Sequence, residues 1–287
     1  MTHNIEEQAQ LLVEVLPYIQ RYYGKTIVIK YGGHAMTSEE IKASVIQDIL
    51  LMSYVGMRPI LVHGGGPDIN RMMDMVGLVP EFVDGKRVTD NGTMEIVEMV
   101  LAGKTNKSIV GLLNSMGGNA VGLSGKDGNL ISASQLNSKL GRVGRVDEIN
   151  PKVLYDLLDH GYIPVISSIG MGDEGEAYNI NADHIAGEVA AAVRAEKLIM
   201  MTDVDGIYKD IKDPATFISR LTAREAGDLI EAGLVSKGMI PKVEACIIAL
   251  EAGVSGTHII NGTRPHSILM EVLTDSGIGT MIEGSEE

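Results

Sequence analysis

The sequence predicts an α/β fold built on a parallel or mostly parallel sheet with helices on both faces. Two observations carry that expectation. Short β-branched apolar runs alternate with helix-periodic segments through most of the 287 residues, and two of those runs end in glycines where a helix should follow. The runs are TIVIKY, PILVH, IPVISSI, LIMMTD and THIIN, apolar on successive residues as in a strand buried on both faces. The periodic segments between them are 38–56, 67–76, 151–160, 182–193 and 238–252.

Composition narrows the function. The chain is 45% hydrophobic and 22% charged, ordinary for a folded domain or two closely joined lobes. Its net charge of −14 argues against a nucleic-acid partner, which would need clustered basic surface. A small anionic ligand fits, since a few local cations can outweigh a distant negative surface. Cys246 is the single cysteine. It falls between Met239, Val243 and Leu250 at helical spacing, the place of a buried thiol and not of a nucleophile. The start MTHNIEEQAQ lacks the basic-then-apolar order of a signal peptide, and no apolar run approaches membrane-spanning length. A cytoplasmic protein without a membrane partner is expected.

Taken in order, residues 4–22 come first. Ile5, Ala9, Leu12, Leu16 and Ile19 form a helical seam, which Pro17 should kink. Such a helix either covers its own sheet or is exchanged with another subunit. In TIVIKYGGHAM (26–36), Lys30 interrupts an apolar strand, and Gly32-Gly33 removes side chains where a helix approaches. Lys30 could be a solvated strand-end lysine before a tight turn, or a cation in a site. ILVHGGGPDIN (60–70) repeats the arrangement, with Gly64, Gly65 and Gly66 before Pro67 at the first helical position. Three glycines in a row favour a ligand that backbone N–H groups approach closely, with the positive end of a helix behind them. This is neither a phosphate loop ending in Lys-Ser/Thr nor a dinucleotide fingerprint.

EFVDGKRVTD (81–90) reads as a β-hairpin turning at Asp84-Gly85 and standing off the main sheet. Arg87, just past its tip, could clamp a carboxylate through two parallel hydrogen bonds or lie solvated. In YNINADHIAGEVAAAV (178–193), Asn181 is an N-cap and Asp183 complements the helix dipole. Asn179 precedes that helix and could give its amide to a substrate, and Asp183 could also orient lysines. KLIMMTDVDGIYKD (197–210) runs from a strand into Asp203, Asp205 and Gly206. Those carboxylates suggest a metal or, equally, an Asp-based turn whose backbone lines a nucleotide pocket. In SKGMIPKVEACIIALEAGV (236–254), the stripe Met239, Val243, Cys246 and Leu250 leaves Lys242 about 60° off its centre and Lys237 almost opposite. Lys242 is therefore the lysine expected in a cleft. The histidines at 34, 63, 184 and 258 form no metal-ligand spacing, and no Ser-His-Asp arrangement stands out.

KYGGHAM, LVHGGGPDIN, GKRVTD, NINADHIAGEVA, TDVDGIY and KGMIPKVEA together resemble the N-acetylglutamate kinases of the amino acid kinase family, in collinear order over nearly the whole chain. The resemblance implies a mainly parallel eight-stranded sheet sandwiched by helices, in two lobes. An oligomerisation helix (1–22) would precede an amino-terminal lobe (23–176) that binds the acylated amino acid and dimerises. A carboxyl-terminal lobe (177–287) would bind ATP. The implied reaction is phosphorylation of the γ-carboxylate of N-acetyl-L-glutamate by ATP carrying Mg2+, the second step of arginine biosynthesis, with no protein-held metal.

By the same resemblance, Lys30 and Lys242 would stabilise the phosphoryl group in transit and Asp183 would hold them. Gly65, Gly66, Arg87 and Asn179 would bind the acetylglutamate, and Gly32, Gly33, Asp203, Gly206 and Tyr208 the nucleotide. The helix at 4–22 and the HIING pattern at His258 resemble the arginine-inhibited hexamers. That implies a trimer of dimers, feedback inhibition by L-arginine, and an effector site drawn from Tyr18, Lys209, His258, Glu271 and Gly277. His34 and His184 depart from the family pattern. The competing expectations are a kinase for acetylaminoadipate, one methylene longer, and a non-catalytic arginine-sensing module, which would be expected to have lost a lysine.

Overall fold

The apolar runs assemble into one central sheet, seen in a computed structural model that describes residues 5–36 and 38–284. Helices α1 (Ile5–Glu14) and α2 (Leu16–Tyr22) lead into β1 (Thr26–Tyr31), α3 (Glu39–Tyr54), β2 (Arg58–His63) and α4 (Gly66–Met75). The hairpin β3 (Phe82–Val83) and β4 (Lys86–Arg87) precedes α5 (Asn91–Glu98), a π-helical stretch (Met99–Thr105) and α6 (Asn106–Ser115). Then come β5 (Ala120–Leu123), β6 (Ile131–Gln135), β7 (Gly144–Ile149), α7 (Lys152–Asp159), β8 (Ile163–Ser167), β9 (Ile169–Met171) and β10 (Ala177–Asn179). The remainder is α8 (Ala182–Ala192), β11 (Lys197–Thr202), β12 (Ile207–Tyr208), β13 (Phe217–Ile218), β14 (Arg220–Thr222) and α9 (Ala223–Glu231). It closes with α10 (Ile240–Glu251), β15 (Gly256–Asn261), α11 (Ser267–Val272) and β16 (Thr280–Glu283).

The main sheet has eight strands in the order β14-β16-β15-β11-β1-β2-β8-β5. Six run parallel, and β16 with its parallel neighbour β14 runs against them. The chain therefore has the expected α/β fold with a mainly parallel sheet between helices. Strand side chains alternate between faces. Val28 packs with Val189 of α8 and Val243 and Cys246 of α10. Ile27, Ile29 and Tyr31 pack on the opposite face with α3, α6 and α11. Lys30, two residues after Val28, is thereby turned toward α8 and α10. Parallel packing also brings the carboxyl ends of β1, β2 and β11 side by side.

A second sheet, β10-β9-β6-β7, was not anticipated. The run IPVISSI divides between the sheets: β8 belongs to the first and β9, after Ser168, to the second. The hairpin stands apart as expected, and Asp84 and Gly85 both have positive φ (49° and 75°), the geometry of a tight two-residue turn.

At the amino terminus, residue 4 of the expected 4–22 helix lies outside the described residues. The rest is broken at Val15, with Pro17 in the first turn of α2 where its missing N–H costs nothing. Ile5 and Leu12 on the seam are 81% and 72% exposed, so α1 does not cover its own sheet. Cys246 is fully buried as expected, and burial pushes its thiol up to about 12.

Candidate active site

Asn181 caps α8 by accepting the backbone N–H of Asp183 at 2.7 Å, which fixes Asp183 in the first turn. Lys30 from β1 and Lys242 from the first turn of α10 each place Nζ 2.9 Å from a different oxygen of that carboxylate. Burial alone would raise the Asp183 carboxyl, but the two ammonium groups hold it below the ordinary value. Two cations and one anion leave a net positive charge at the wall of a cavity of about 730 Å³. Lys237 is exposed as expected, but it lies in the turn before α10, which begins at Ile240, so its exposure does not come from a helical angle.

Both glycine turns open onto this cavity. A Cβ on Gly32 would stand 3.2 Å from Nζ of Lys30, and Gly33 has φ +66°, so both positions suit glycine. A Cβ on Gly65 would meet Leu101 at 2.6 Å. Gly66 opens α4 with Pro67 beside it, so unpaired N–H groups and the positive helix end face the same space.

Arg87 is buried, not solvated. Its guanidinium lies over the Phe82 ring at 4.8 Å and donates to Oδ1 of Asn70 at 2.5 Å. Burial lowers its pKa, leaving a cation ready for an anionic partner. Asn179 donates to Oγ1 of Thr89 at 3.2 Å and lines the cavity with Arg87. The hairpin and strand β7 wall the cavity on the side away from the main sheet.

Asp203, Gly206 and Tyr208 do not line this cavity; they follow the carboxyl end of β11. A Cβ on Gly206 would stand 2.3 Å from Oγ1 of Thr280, which is a packing reason for that glycine. Tyr208 packs on Phe217 at 5.4 Å. Asp205 accepts from Nδ2 of Asn261 at the end of β15 at 2.9 Å, a bond across the fold and not within a local turn. Among the described residues, no group of three or more His, Cys, Asp and Glu is placed to hold a metal ion. His184 pairs with Glu244 at 3.4 Å beside the cavity, and the side chain of His34 lies outside what is described.

A second polar cluster lies at the opposite end of β11. His258 meets Oε1 of Glu271 through Nδ1 at 2.6 Å, and Gly277 packs against the same carboxylate. Burial opposes the Glu271 charge, but His258 and the N–H groups of Ile278 and Gly279 hold its pKa down. Tyr18 donates to Asp275, which lies between Glu271 and Gly277 in sequence. The lysine in this cluster is Lys197, not Lys209. Lys197 places Nζ 2.5 Å from Nε2 of His258, and burial lowers its pKa to about 8. Lys209 is exposed just past β12 and bonds Thr216 through its backbone. Lys197 was missed because it opens an apolar strand, where a lysine reads as a solvated start. Its alternation with Ile199 and Met201, both fully buried, was the available signal.

Opposed glycine turns and paired lysines at the carboxyl edge of a parallel sheet define a phosphate-handling enzyme. The chain belongs to the amino acid kinase family, whose model matches residues 25–261, and it is a phosphotransferase. Within that family it is similar to acetylglutamate kinases, for example 56% identical to that of Trichormus variabilis over 97% of this chain and 94% of the relative. Among solved structures it is similar to the N-acetylglutamate synthase of Neisseria gonorrhoeae complexed with coenzyme A and N-acetyl-glutamate. The TM-score is 0.85 at 26% identity, covering 97% of this chain and 64% of that longer one. The same synthase complexed with coenzyme A and L-arginine gives 0.81 at 25% identity, covering 96% and 65%. No helix among the described residues is long and apolar enough to cross a membrane.

Proposed function

We propose that this enzyme transfers the γ-phosphoryl group of ATP to the γ-carboxylate of N-acetyl-L-glutamate, forming N-acetyl-L-glutamyl 5-phosphate for arginine biosynthesis in the cytoplasm. One observation carries the reading: Lys30 and Lys242 converge on Asp183 at the wall of a cleft bordered by two glycine turns. The names of the curated relatives support the substrate.

The acceptor carboxylate is already a nucleophile, so the enzyme needs positioning and positive charge more than a base. Arg87 and Asn179 would hold the acetylglutamate, with Gly65 and Gly66 donating N–H groups to its reacting end. Lys30 and Lys242 would meet the charge that spreads over the phosphoryl oxygens, while Asp183 keeps both ammonium groups in place. Gly32 and Gly33 let the nucleotide phosphates approach the backbone, and Asp203, Gly206 and Tyr208 would border the rest of the nucleotide. A Cβ on Gly32 would crowd Nζ of Lys30, and the space beside Gly33 and Gly66 is open, which fits a phosphate chain. Mg2+ would arrive with that chain and neutralise part of its charge.

The lobes of this reading are 23–176 for acetylglutamate and dimer contacts and 177–287 for ATP, with 1–22 for oligomerisation. The exposed seam of α1 supports a partner helix, and hence a hexamer built as a trimer of dimers. L-arginine would inhibit by binding at Tyr18, His258, Glu271, Gly277 and Lys197, a site with an anion and a cation for the two ends of the effector. A similar synthase was solved with L-arginine, which supports arginine as the effector.

A hydroxamate assay for acyl phosphate with ATP and N-acetylglutamate, with and without arginine, tests the reading. Acetylaminoadipate and aspartate run beside it. Turnover with acetylglutamate well above both is expected, and none with acetylglutamate overturns it.

A further inference from the structure

His63, at the end of β2, and Asn106, the first residue of α6, are almost completely buried. Nδ2 of Asn106 lies 2.9 Å from the carbonyl oxygen of Val165 and 3.4 Å from that of Leu123. Carbonyls only accept, so the nitrogen of this amide is the atom facing them. The same nitrogen lies 3.1 Å from Nε2 of His63, which must therefore accept. The proton of a neutral ring then sits on Nδ1, which donates to the carbonyl oxygen of Gly64 at 2.9 Å. Burial keeps the ring neutral, lowering its pKa to about 4. Nζ of Lys107 donates to Oδ1 of Asn106 at 3.2 Å, so the amide is satisfied at both ends. A Cβ on Gly122 would lie 1.8 Å from that oxygen, so β5 carries glycine where the amide sits.

The π-helical stretch before α6 touches the same turn twice more. Leu101 lies behind Gly65, and Oγ1 of Thr105 donates to Oδ2 of Asp68 in the first turn of α4 at 3.0 Å. Leu101 and Thr105, four apart, share the face turned to the Gly64–Gly66 turn, and the next residue is Asn106. Single π-helical turns inserted into α-helices recur at functional sites. Three consecutive glycines have the largest backbone freedom to lose, and donors stabilise a transition state best when already fixed.

We propose that His63 and Asn106 are positioning residues that hold the Gly64–Gly66 turn with its N–H groups aimed at the transferring phosphoryl group and its acceptor. The pair acts through the carbonyl of Gly64 and touches no substrate. The π-helical stretch braces the turn from behind through Leu101 and Thr105. The inference rests on the phosphotransfer reading of the cleft and adds a mechanism for keeping its glycines rigid.

His63→Phe keeps a ring of similar volume and loses both hydrogen bonds. His63→Asn restores a donor near Nδ1 toward Gly64. Thr105→Val removes only the bond to Asp68 at nearly constant volume, and supplies the test should His63→Phe not fold. For each, kcat, both KM values, melting temperature and amide hydrogen exchange of the 61–70 segment are measured. In His63→Phe, kcat should fall roughly 10–100-fold, the scale for losing a support behind a functional group, with smaller changes in KM. Exchange at Gly64, whose N–H donates to the carbonyl oxygen of Tyr31, should quicken, His63→Asn should recover most of both losses, and Thr105→Val should show a weaker form of both. Unchanged kcat and exchange in His63→Phe and Thr105→Val would overturn the proposal. So would equal losses in His63→Phe and His63→Asn that track melting temperature alone. A wild-type protein without acetylglutamate-dependent turnover would defeat the functional reading instead, while the exchange data would still decide whether the pair fixes the turn.

Discussion

Lys242 donates to Oδ2 of Asp183 at 2.9 Å, leaving Oδ1 for Lys30 at the same distance. One carboxylate thus sets the separation and aim of two cations from different parts of the chain. The arrangement resists relaxation because Asp183 is itself held by the cap of α8.

Removing either cation should slow the chemistry more than it weakens binding. Lys30→Ala and Lys242→Ala are each expected to lower kcat by roughly 10²–10³, the range for one preorganised donor. Steady-state rates with saturating ATP and acetylglutamate check this, and unchanged turnover in both variants would refute the assignment.

Asp183→Asn should cost stability as well as rate, because it leaves two nearly buried ammonium groups without their counter-charge. Breaking a buried pair in this way costs about 3–5 kcal/mol. The Asp183 pKa is depressed in the fold, so its contribution is fully present above the unfolded value of 3.8 and is lost as pH falls through the lower folded value. Melting temperature against pH should therefore fall more steeply on the acid side for the wild type than for Asp183→Asn.

Arg87 is already packed on Phe82 and bonded to Asn70, so it can receive a carboxylate with little reordering. Arg87→Lys keeps charge but loses the planar fork. An increase of about 10–100-fold in the KM for acetylglutamate is expected, matching ~1.5–3 kcal/mol for a charged hydrogen bond, with ATP KM little changed. Initial-rate measurements varying each substrate separate the two.

Lys197→Ala and Glu271→Ala should leave basal turnover intact and abolish inhibition by L-arginine. Burial lowers the Lys197 pKa to about 8, so its positive charge fades as pH rises through that value. Inhibition by arginine should weaken over the same range if Lys197 holds the effector carboxylate, which titration of inhibition against pH will show. The sign for stability is opposite. The cost of a charged buried lysine is fully present below about 8 and is relieved as pH rises toward the unfolded value of 10.5.

On the proposed assembly, the full chain should run as hexamers and truncation of residues 1–22 should leave dimers, since it removes the exposed seam of α1. Light scattering distinguishes the two, and a hexamer persisting after truncation would contradict the arrangement.

The parts of the fold that were legible are those whose chemistry is local. β1 and β2 announce themselves because a strand buried on both faces must be apolar throughout, and their glycine endings mark the cleft. The buried stripe Met239, Val243, Cys246 and Leu250 placed Lys242 correctly beside the cleft, whereas Lys237 lies in the turn before α10 and is exposed for that reason. The second sheet was not legible, because β6 (ISASQ) and β7 (GRVDEI) carry too few apolar residues to signal a strand. They are ordered by antiparallel pairing with each other and by docking over the cleft. Arg87 and Lys197 show the same limit. The solvated reading stayed open for Arg87 and Lys197 was not singled out, yet each is buried against another element: Asn70 and Met73 of α4 for Arg87, His258 of β15 for Lys197.

The lone cysteine sits on α10 one turn beyond Lys242, sealed within the layer that carries the paired lysines. With its thiol protonated and out of reach, the native enzyme should tolerate alkylating and oxidising reagents without loss of turnover. The same sulfur becomes accessible once α10 leaves the sheet. A thiol-reactive dye would thus count opening of the catalytic layer molecule by molecule, an intrinsic gauge requiring no engineered label.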